Sequence, residues 1–590
     1  MALKRYLCFV ILICILAATP VFAQDIHVTQ VPKKQDIDPF KLDTGSSFFA
    51  SGSGQRPGGA VSSLKMSKET VASDFEAALE IIRNNHADGN RLDTTSLTTS
   101  AIGSMLKMLD PHSNYYDADE YQELLGEHES EYSGTGSSIA GFLRTGSVNT
   151  YIVATFPDSP AAKANLRFGD RIIAVDGQSV AGQSPDTVRD RVRGKRGTVV
   201  RLTIERADNN VIEVVELRRD RVHEPAVPAG YLLRPGIGYI DLTAGFSNAT
   251  SGELEIALKE LHRQGMTSLV LDIRGNGGGI LDQAVKVAEK FLPAGSTIVS
   301  QRGRYPDDTR TWTAGKVRYE MMPLVLLVDE NSASASEVLA GALQDNDRAL
   351  IVGEKTFGKG LVQSVLSLPY GSGLTLTAAR YYTPSGRSIQ RDYSDIGLYD
   401  YFNHRNATAE IGTASFASKT ITNRVVYGGD GITPDESAKE PPVSPAQMSL
   451  LDPLFFFTRD YLNGHIKNIE ANSVTANQQI RQQIMFGEST VSEAVLDRFT
   501  EYAKEKSRET SPALLARERT FIRDILNYNL AMATFGTVAA NRAKIESDTE
   551  VLQAINALPK AARLDTAAQK ARTATPKEKG SLSLVLNEQR

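Results

Sequence analysis

The sequence predicts a multidomain α/β protein, and three observations carry that prediction. Between Gly238 and Gly353 short apolar runs alternate with amphipathic helical stretches, the pattern of a mostly parallel sheet flanked by helices. Residues 131–222 are strand-rich with Gly- and Asp-marked turns, and beyond about residue 439 the chain returns to helical periodicity. With 590 residues, 41% of them hydrophobic, the chain can bury three or four separate cores.

Taken in order, Lys4 and Arg5 precede an apolar run over residues 6–18, and Val21 and Ala23 suit cleavage before Gln24. This is the pattern of a secretory leader over 1–23, too short for a comfortable transmembrane span, although an uncleaved anchor is a second reading. Residues 24–66 are rich in Gly, Ser, Pro and Lys and are expected to form a flexible tether. An N-terminal helical segment (67–130) follows. Val71, Phe75, Ala78, Leu79 and Ile82 share one helical face over 69–85, and further helices are expected at 101–109, ending before Asp110-Pro111, and at 117–125.

In the strand-rich segment, residues 148–156, 199–204 and 211–217 read as strands and 160–166 as a short helix. The order Ser159-Pro160-Ala161-Ala162, then Arg167-Phe168-Gly169-Asp170 leading to Asp176-Gly177, resembles a PDZ domain over 131–222. That resemblance implies capture of a peptide's terminal carboxylate by backbone N–H groups of a glycine turn, here Gly134, Thr135 and Gly136, with the peptide adding as a strand. The family usually has an apolar residue where this chain has Thr135.

The segment 223–438 carries the chemistry. A strand at 238–242, a helix at 251–263 and a strand at 268–273 lead to the turn Arg274-Gly275-Asn276-Gly277-Gly278-Gly279, and a helix at 281–291 follows. The apolar run 324–328 then enters Asn331-Ser332-Ala333-Ser334-Ala335-Ser336-Glu337, ahead of Val338, Leu339, Ala342 and Leu343 at helical spacing. Serines at a strand-to-helix turn sit beside unpaired N–H groups, which favours either a simple cap or an oxygen on which negative charge develops. The N–H of Ala335 is one candidate donor to such an oxygen. Downstream lies Phe357-Gly358-Lys359-Gly360-Leu361-Val362-Gln363; on a strand, Lys359, Leu361 and Gln363 would share one face. A lysine base must be desolvated, and a depression of about three pKa units corresponds to roughly 4 kcal/mol, within the reach of burial. Glu354, five positions before, would keep Lys359 charged if the two met. A strand at 374–382 precedes a polar stretch, 391–427, expected to be a surface loop insertion.

These motifs, with Leu109-Asp110-Pro111-His112-Ser113 and Tyr381-Tyr382-Thr383-Pro384-Ser385-Gly386-Arg387-Ser388-Ile389-Gln390, occur in one order over roughly residues 69–435. The chain resembles the carboxy-terminal processing proteases, also called tail-specific proteases, which are serine peptidases of the S41 type. The resemblance implies Ser334 as nucleophile, Lys359 as base, and Gln363 as the residue that orients the lysine amine. It makes Gly279 the second oxyanion donor beside Ala335, and Ser332 and Ser336 supports of the turn. The implied activity is a serine endopeptidase that selects free C-terminal tails and works through an acyl-enzyme, and the leader pattern makes it an exported, periplasmic protein. The alternative is a non-catalytic PDZ scaffold on the same fold.

Other chemistries find little footing. Both cysteines, Cys8 and Cys14, lie in the expected leader, which leaves no thiolate or disulfide downstream. The eight histidines show no metal-ligand spacing, and His112 is expected to be structural. Well-mixed charge, 65 basic against 70 acidic residues, gives no support for nucleic-acid binding. No cofactor is expected, and the expected partners are protein substrates with free tails; an activating adaptor and the oligomeric state stay open. The helical extension (439–590) carries stripes at Val491, Val495, Phe499 and Tyr502 and at Phe521, Ile525, Tyr528 and Met532, with fraying expected from about Lys560.

Overall fold

The computed structural model describes residues 67–128, 131–144, 146–316, 319–394, 397–403, 417–466, 491–506 and 511–574. The expected leader and tether lie outside the described residues. Among the described residues, those up to Leu106 form one unit and those from Lys107 onward another. The first holds α1 (Lys68–Asn85), capped by the Ser67 hydroxyl, and most of α2 (Thr94–Lys107). Helix α2 starts seven residues before the expected position because Asp93 accepts from the Thr95 and Ser96 N–H groups. Its Thr- and Ser-rich first turns conceal the periodicity.

In the larger unit, the Asp110 carboxylate accepts from the N–H groups of His112 and Ser113, turning the chain into β1 (Asn114–Tyr116) and then α3 (Ala118–His128). The expected PDZ segment folds around an antiparallel sheet. Its elements are β2 (Glu131–Gly134), β3 (Ser137–Arg144), β4 (Ser147–Thr155), α4 (Pro160–Lys163), β5 (Arg171–Val175), β6 (Gln178–Ser179), α5 (Pro185–Val192), β7 (Val199–Glu205), β8 (Ile212–Arg218) and β9 (Asp220–His223). The order β3-β4-β5-β7-β8 leaves β3 at an edge, while β2 and β9 pair with each other. Ile152, Leu166, Ile172, Val188, Leu202 and Ile204 fill the interior.

The core begins with β10 (Ala229–Arg234), β11 (Ile237–Asp241), α6 (Thr250–Arg263), β12 (Ser268–Asp272) and α7 (Leu281–Glu289). It continues through β13 (Thr297–Gly303), β14 (Arg310–Thr313), β15 (Leu324–Val328), α8 (Ala335–Asp345), β16 (Leu350–Gly353), β17 (Leu361–Ser367) and β18 (Gly373–Tyr382). Helix α9 (Leu398–Phe402), the hairpin β19 (Ala417–Lys419) and β20 (Val425–Tyr427), and β21 (Glu436–Ser437) complete it. The main sheet runs β10-β11-β12-β15-β16-β21, antiparallel only between β10 and β11. Its central strands are apolar on both faces because both are covered. Leu254, Leu258, Val287, Leu339 and Leu343 from α6, α7 and α8, with Phe291 just past the end of α7, cover one face.

The extension supplies the other cover. It comprises α10 (Pro445–Met448), α11 (Leu451–Leu462), α12 (Glu493–Lys506), α13 (Pro512–Arg517), α14 (Arg519–Phe535), α15 (Thr537–Ile545) and α16 (Thr549–Ala574). Val551, Ala554, Leu558 and Ala561 of α16 pack on Val270, Val325, Leu327, Leu350 and Val352. Fraying from Lys560 is therefore corrected: α16 runs to Ala574, with Ala561 and Ala568 buried. Helices α11, α14 and α15 pack instead on the PDZ segment, through Phe455, Tyr528 and Met532 against Phe142, Tyr151 and Phe168.

Two further expectations need correction. A second sheet, in which β18 pairs with β1, β13 and β17 and β13 with β14, is antiparallel, so the mostly parallel prediction covers the main sheet only. The stretch 391–427 is not merely a surface loop: in its described parts Arg391, Tyr401 and Val426 are buried.

Candidate active site

Ser334 occupies the junction between β15 and α8, with φ 57° and ψ −114°, a left-handed conformation that costs a non-glycine residue about 1–3 kcal/mol. A sharp strand-to-helix turn of this kind lifts a serine hydroxyl clear of its neighbours. Ser334 is half-buried at the N-terminus of α8. The flanking serines are committed elsewhere. Ser332 Oγ donates to the Ile273 carbonyl (2.9 Å) and Ser336 Oγ to the Asn276 carbonyl (2.8 Å), both fully buried. The Ala333 N–H also donates to the Asn276 carbonyl (3.0 Å), so three bonds lock the serine turn to the glycine turn.

The glycine turn is held just as firmly from its own side. Asn276 Oδ1 accepts from the Gly278 N–H (2.9 Å), and its amide donates to the Leu242 carbonyl. A Cβ on Gly278 would meet the Ala333 carbonyl and Ser334 Cβ at 2.8 Å, and one on Gly279 would meet the Phe246 carbonyl at 2.3 Å. Only glycine fits either place. The Gly279 and Ala335 N–H groups have no acceptor among the described residues. Behind the turn, half-buried Arg274 bonds Asp272, Asp548 (2.9 Å) and Glu550 (2.5 Å), the last two from the turn before α16 and from its start. Against the lowering effect of burial, Asp272 and Asp548 hold the guanidinium well above its ordinary pKa.

Lys359 lies ahead of β17 rather than on it, so the shared face expected from period two extends only from Leu361 to Gln363. A residue that sequence reasoning passed over positions the lysine: Glu337, fully buried in the first turn of α8. Its Oε1 accepts from Thr356 Oγ1 (2.6 Å) and the Gly358 N–H (2.7 Å). Its Oε2 accepts from the N–H groups of Ser334 (2.9 Å) and Lys359 (2.7 Å). The backbones of the serine and the lysine thus face one another across a single carboxylate oxygen. The spacing Ser334-Ala335-Ser336-Glu337 is that of a capping box, the signal that could have flagged it. Burial lowers the Lys359 pKa to about 8, partly offset by the charges of Glu337 and Asp110. Glu354 does not interfere, since it pairs with Lys439.

The lysine loop is walled by aromatic and polar groups from the supposed insertion, from the residue before it and from the Asp110 turn. His112 Nε2 and Tyr401 Oη are 3.0 Å apart, and the Arg391 guanidinium lies 4.6 Å from the Phe357 ring centre and 4.7 Å from that of Tyr401. Gln390 accepts from the Gly360 N–H (2.8 Å). Burial, followed by the charges of Lys359 and Arg391, drives the His112 pKa down to about 2, which keeps this ring neutral. His112, expected to be structural, is therefore part of the lysine's surroundings. The Gln363 side-chain amide donates to Thr377 Oγ1 (3.3 Å), which ties it to β18.

The second predicted site sits in the PDZ segment. Thr135, buried, accepts at its carbonyl from the Ala161 N–H (2.8 Å), and its hydroxyl meets Ser137 Oγ (3.2 Å). Gly136 accepts at its carbonyl from the Phe156 N–H (2.9 Å) and Ser159 Oγ (3.0 Å). With the carbonyls committed, the Thr135 and Gly136 N–H groups have no acceptor among the described residues, and Gly134 closes β2 beside them.

Comparison with known proteins bears on this arrangement. A model of peptidase family S41 matches residues 236–396, and a PDZ domain model matches residues 152–206. The carboxy-terminal-processing protease of Bartonella bacilliformis is 39% identical over 304 residues, which is 50% of this chain and 68% of that protein. A probable CtpA-like serine protease of Staphylococcus epidermidis is 37% identical over 297 residues, 50% of this chain and 58% of that one. Among solved structures, the photosystem II D1 C-terminal processing protease is 31% identical, covering 60% of this chain and 85% of that chain with a TM-score of 0.33. The glycine turn, the serine turn and the lysine loop all fall inside the S41 match, and the chain belongs to the carboxy-terminal processing proteases of peptidase family S41.

Proposed function

We propose that the chain is an exported serine endopeptidase that binds the C-terminal tails of protein substrates and cleaves them with a Ser334–Lys359 dyad. Neutral Lys359 takes the Ser334 hydroxyl proton as Oγ attacks a peptide carbonyl. The resulting oxyanion receives hydrogen bonds from the Gly279 and Ala335 N–H groups, each such donor contributing about 2.7–4 kcal/mol. Collapse of the tetrahedral intermediate breaks the C–N bond, and Lys359 passes its proton to the leaving amine. Water, deprotonated by the Lys359 amine, then hydrolyses the acyl-enzyme, and the proton returns to Ser334 Oγ. Gln363 orients the amine, and hydrogen bonds at such sites commonly tighten only when substrate is bound. No cofactor enters.

The observation that carries this reading is Glu337, which binds the backbone of both Ser334 and Lys359 while burial lowers the lysine pKa to about 8. At pH 7 roughly one lysine in ten is then neutral, against fewer than one in a thousand at the reference value. The Thr135 and Gly136 N–H groups serve a terminal carboxylate, with the substrate tail added along the outer edge of β3. Export rests on the leader pattern of residues 1–23. Cleavage of an unfolded protein with an apolar free tail should vanish on Ser334→Ala substitution; equal rates from the two chains would refute the assignment. Cleavage that persists unchanged when the tail is amidated would refute tail selection while leaving the dyad in place.

A further inference from the structure

Helix α11 of the C-terminal extension touches the PDZ segment at the strand that would receive a substrate tail. Strand β3 is the last strand of its sheet, so among the described residues one edge has no neighbouring strand. The Phe156 N–H donates to the Gly136 carbonyl, which sets the alternation along the hairpin. Residues 136, 138, 140 and 142 turn toward β4, and Ser137, Ile139, Gly141 and Leu143 present their backbone groups to the outer edge. That outer edge is not equally open along its length. The Leu143 N–H donates to Asp452 Oδ1 (3.2 Å), a carboxylate in the first turn of α11.

The cap is held by a packed interface. One turn further along α11, Phe455 stacks on Phe142 of β3, ring centres 3.6 Å apart and nearly parallel, both side chains buried. Arg459 then donates to the Gly169 carbonyl (2.9 Å). The helix that carries Asp452 therefore cannot move off β3 without disturbing an aromatic stack and a buried arginine. The inner wall of the same groove is α5, whose Pro185 ring lies against Gly141.

We infer that Asp452 is a specificity-determining residue that sets how much of a substrate tail is read, by occupying the rung at Leu143. The inference rests on the reading above, in which the carboxylate docks at Gly134, Thr135 and Gly136 and the tail pairs antiparallel with β3. Each outward rung accounts for two residues of the added strand, so a tail anchored at the turn and paired at Ile139 and Gly141 is read over about its last five residues. The next rung is closed by the carboxylate. Residues further upstream leave the sheet and are free to run toward a cleavage site.

The test uses the full chain carrying Ser334→Ala, so that peptides are bound and not cut, and synthetic peptides of one apolar sequence lengthened two residues at a time. With Asp452 present, affinity should rise up to about five residues and then level off. In Asp452→Ala the next two residues should add a further gain of roughly 2–12-fold, the worth of one net hydrogen bond. Asp452→Asn keeps an acceptor and should keep the plateau. Equal binding of the shortest peptides by all three chains reports that the groove is intact. An affinity that climbs past the plateau with Asp452 present, or a plateau that stays put in Asp452→Ala, overturns the inference while leaving tail binding standing. Equal affinity for amidated and free-acid peptides instead overturns the docking of tails, and the inference with it.

Discussion

Two largely buried cations flank the proposed catalytic serine, and the protein treats them in opposite ways. Arg274, behind the glycine turn, meets three carboxylates, Asp272, Asp548 and Glu550, and its charge is secured. Lys359, in front, is buried more deeply still, and its pKa falls to about 8. Glu337 is close to it, but that carboxylate is already engaged by four donors, three of them backbone N–H groups. Lys359 is the more deeply buried of the two, and the rest of the difference lies in how much carboxylate capacity is left for each cation. A structural cation receives dedicated acceptors. A base receives a neighbour whose acceptors are directed at the backbone.

The comparison can be broken most directly at the lysine. Lys359→Arg places a permanently charged group in the same pocket, and kcat should fall by about 10²–10⁴-fold with the chain still folded. Retained turnover would show that the lysine is not the base. At the arginine, Asp548→Ala combined with Glu550→Ala strips two of its three partners; urea unfolding should register a loss of about 3–5 kcal/mol, since a buried charge is left undercompensated. Unaltered stability would mean that Asp272 alone suffices. The contrast sharpens through Glu337→Gln: removing the carboxylate charge lowers the Lys359 pKa further, so the acid limb of the kcat/KM profile should move about one unit below its wild-type position near pH 8, even as kcat drops. A limb that moves upward instead would reverse the assigned sign. The smallest effect is expected for Tyr401→Phe, which removes the His112 hydrogen bond but keeps the ring; kcat/KM should change by a few-fold with the acid limb in place.

Much of this site was legible in the sequence because its signals are local. Glycines at 277–279, serines on a strand-to-helix turn and a lysine between glycines each mark a backbone geometry that short-range chemistry demands. The alternation of apolar strands and helices announced the main sheet for the same reason. What escaped was non-local. Asn276 looked like one more turn residue, yet its carbonyl and side chain tie three segments together. Tyr401 and Arg391 sat in a polar, aperiodic stretch, and their burial depends on Phe357 and His112, distant in sequence. The antiparallel second sheet draws β1 from far upstream to pair with β18, a contact no window of residues contains.

Residue order alone therefore established the family resemblance, the strand and helix succession and the identity of the candidate nucleophile and base, all encoded in contiguous motifs. Tertiary structure decided the rest: the electrostatic state of Lys359, the acceptors that secure Arg274, and the place of the C-terminal helices, with α16 under the main sheet and α11 at the edge of β3. The physical reason is that pKa, burial and edge capping depend on what approaches through space, and the approaching groups here come from segments as far apart as Leu143 and Asp452.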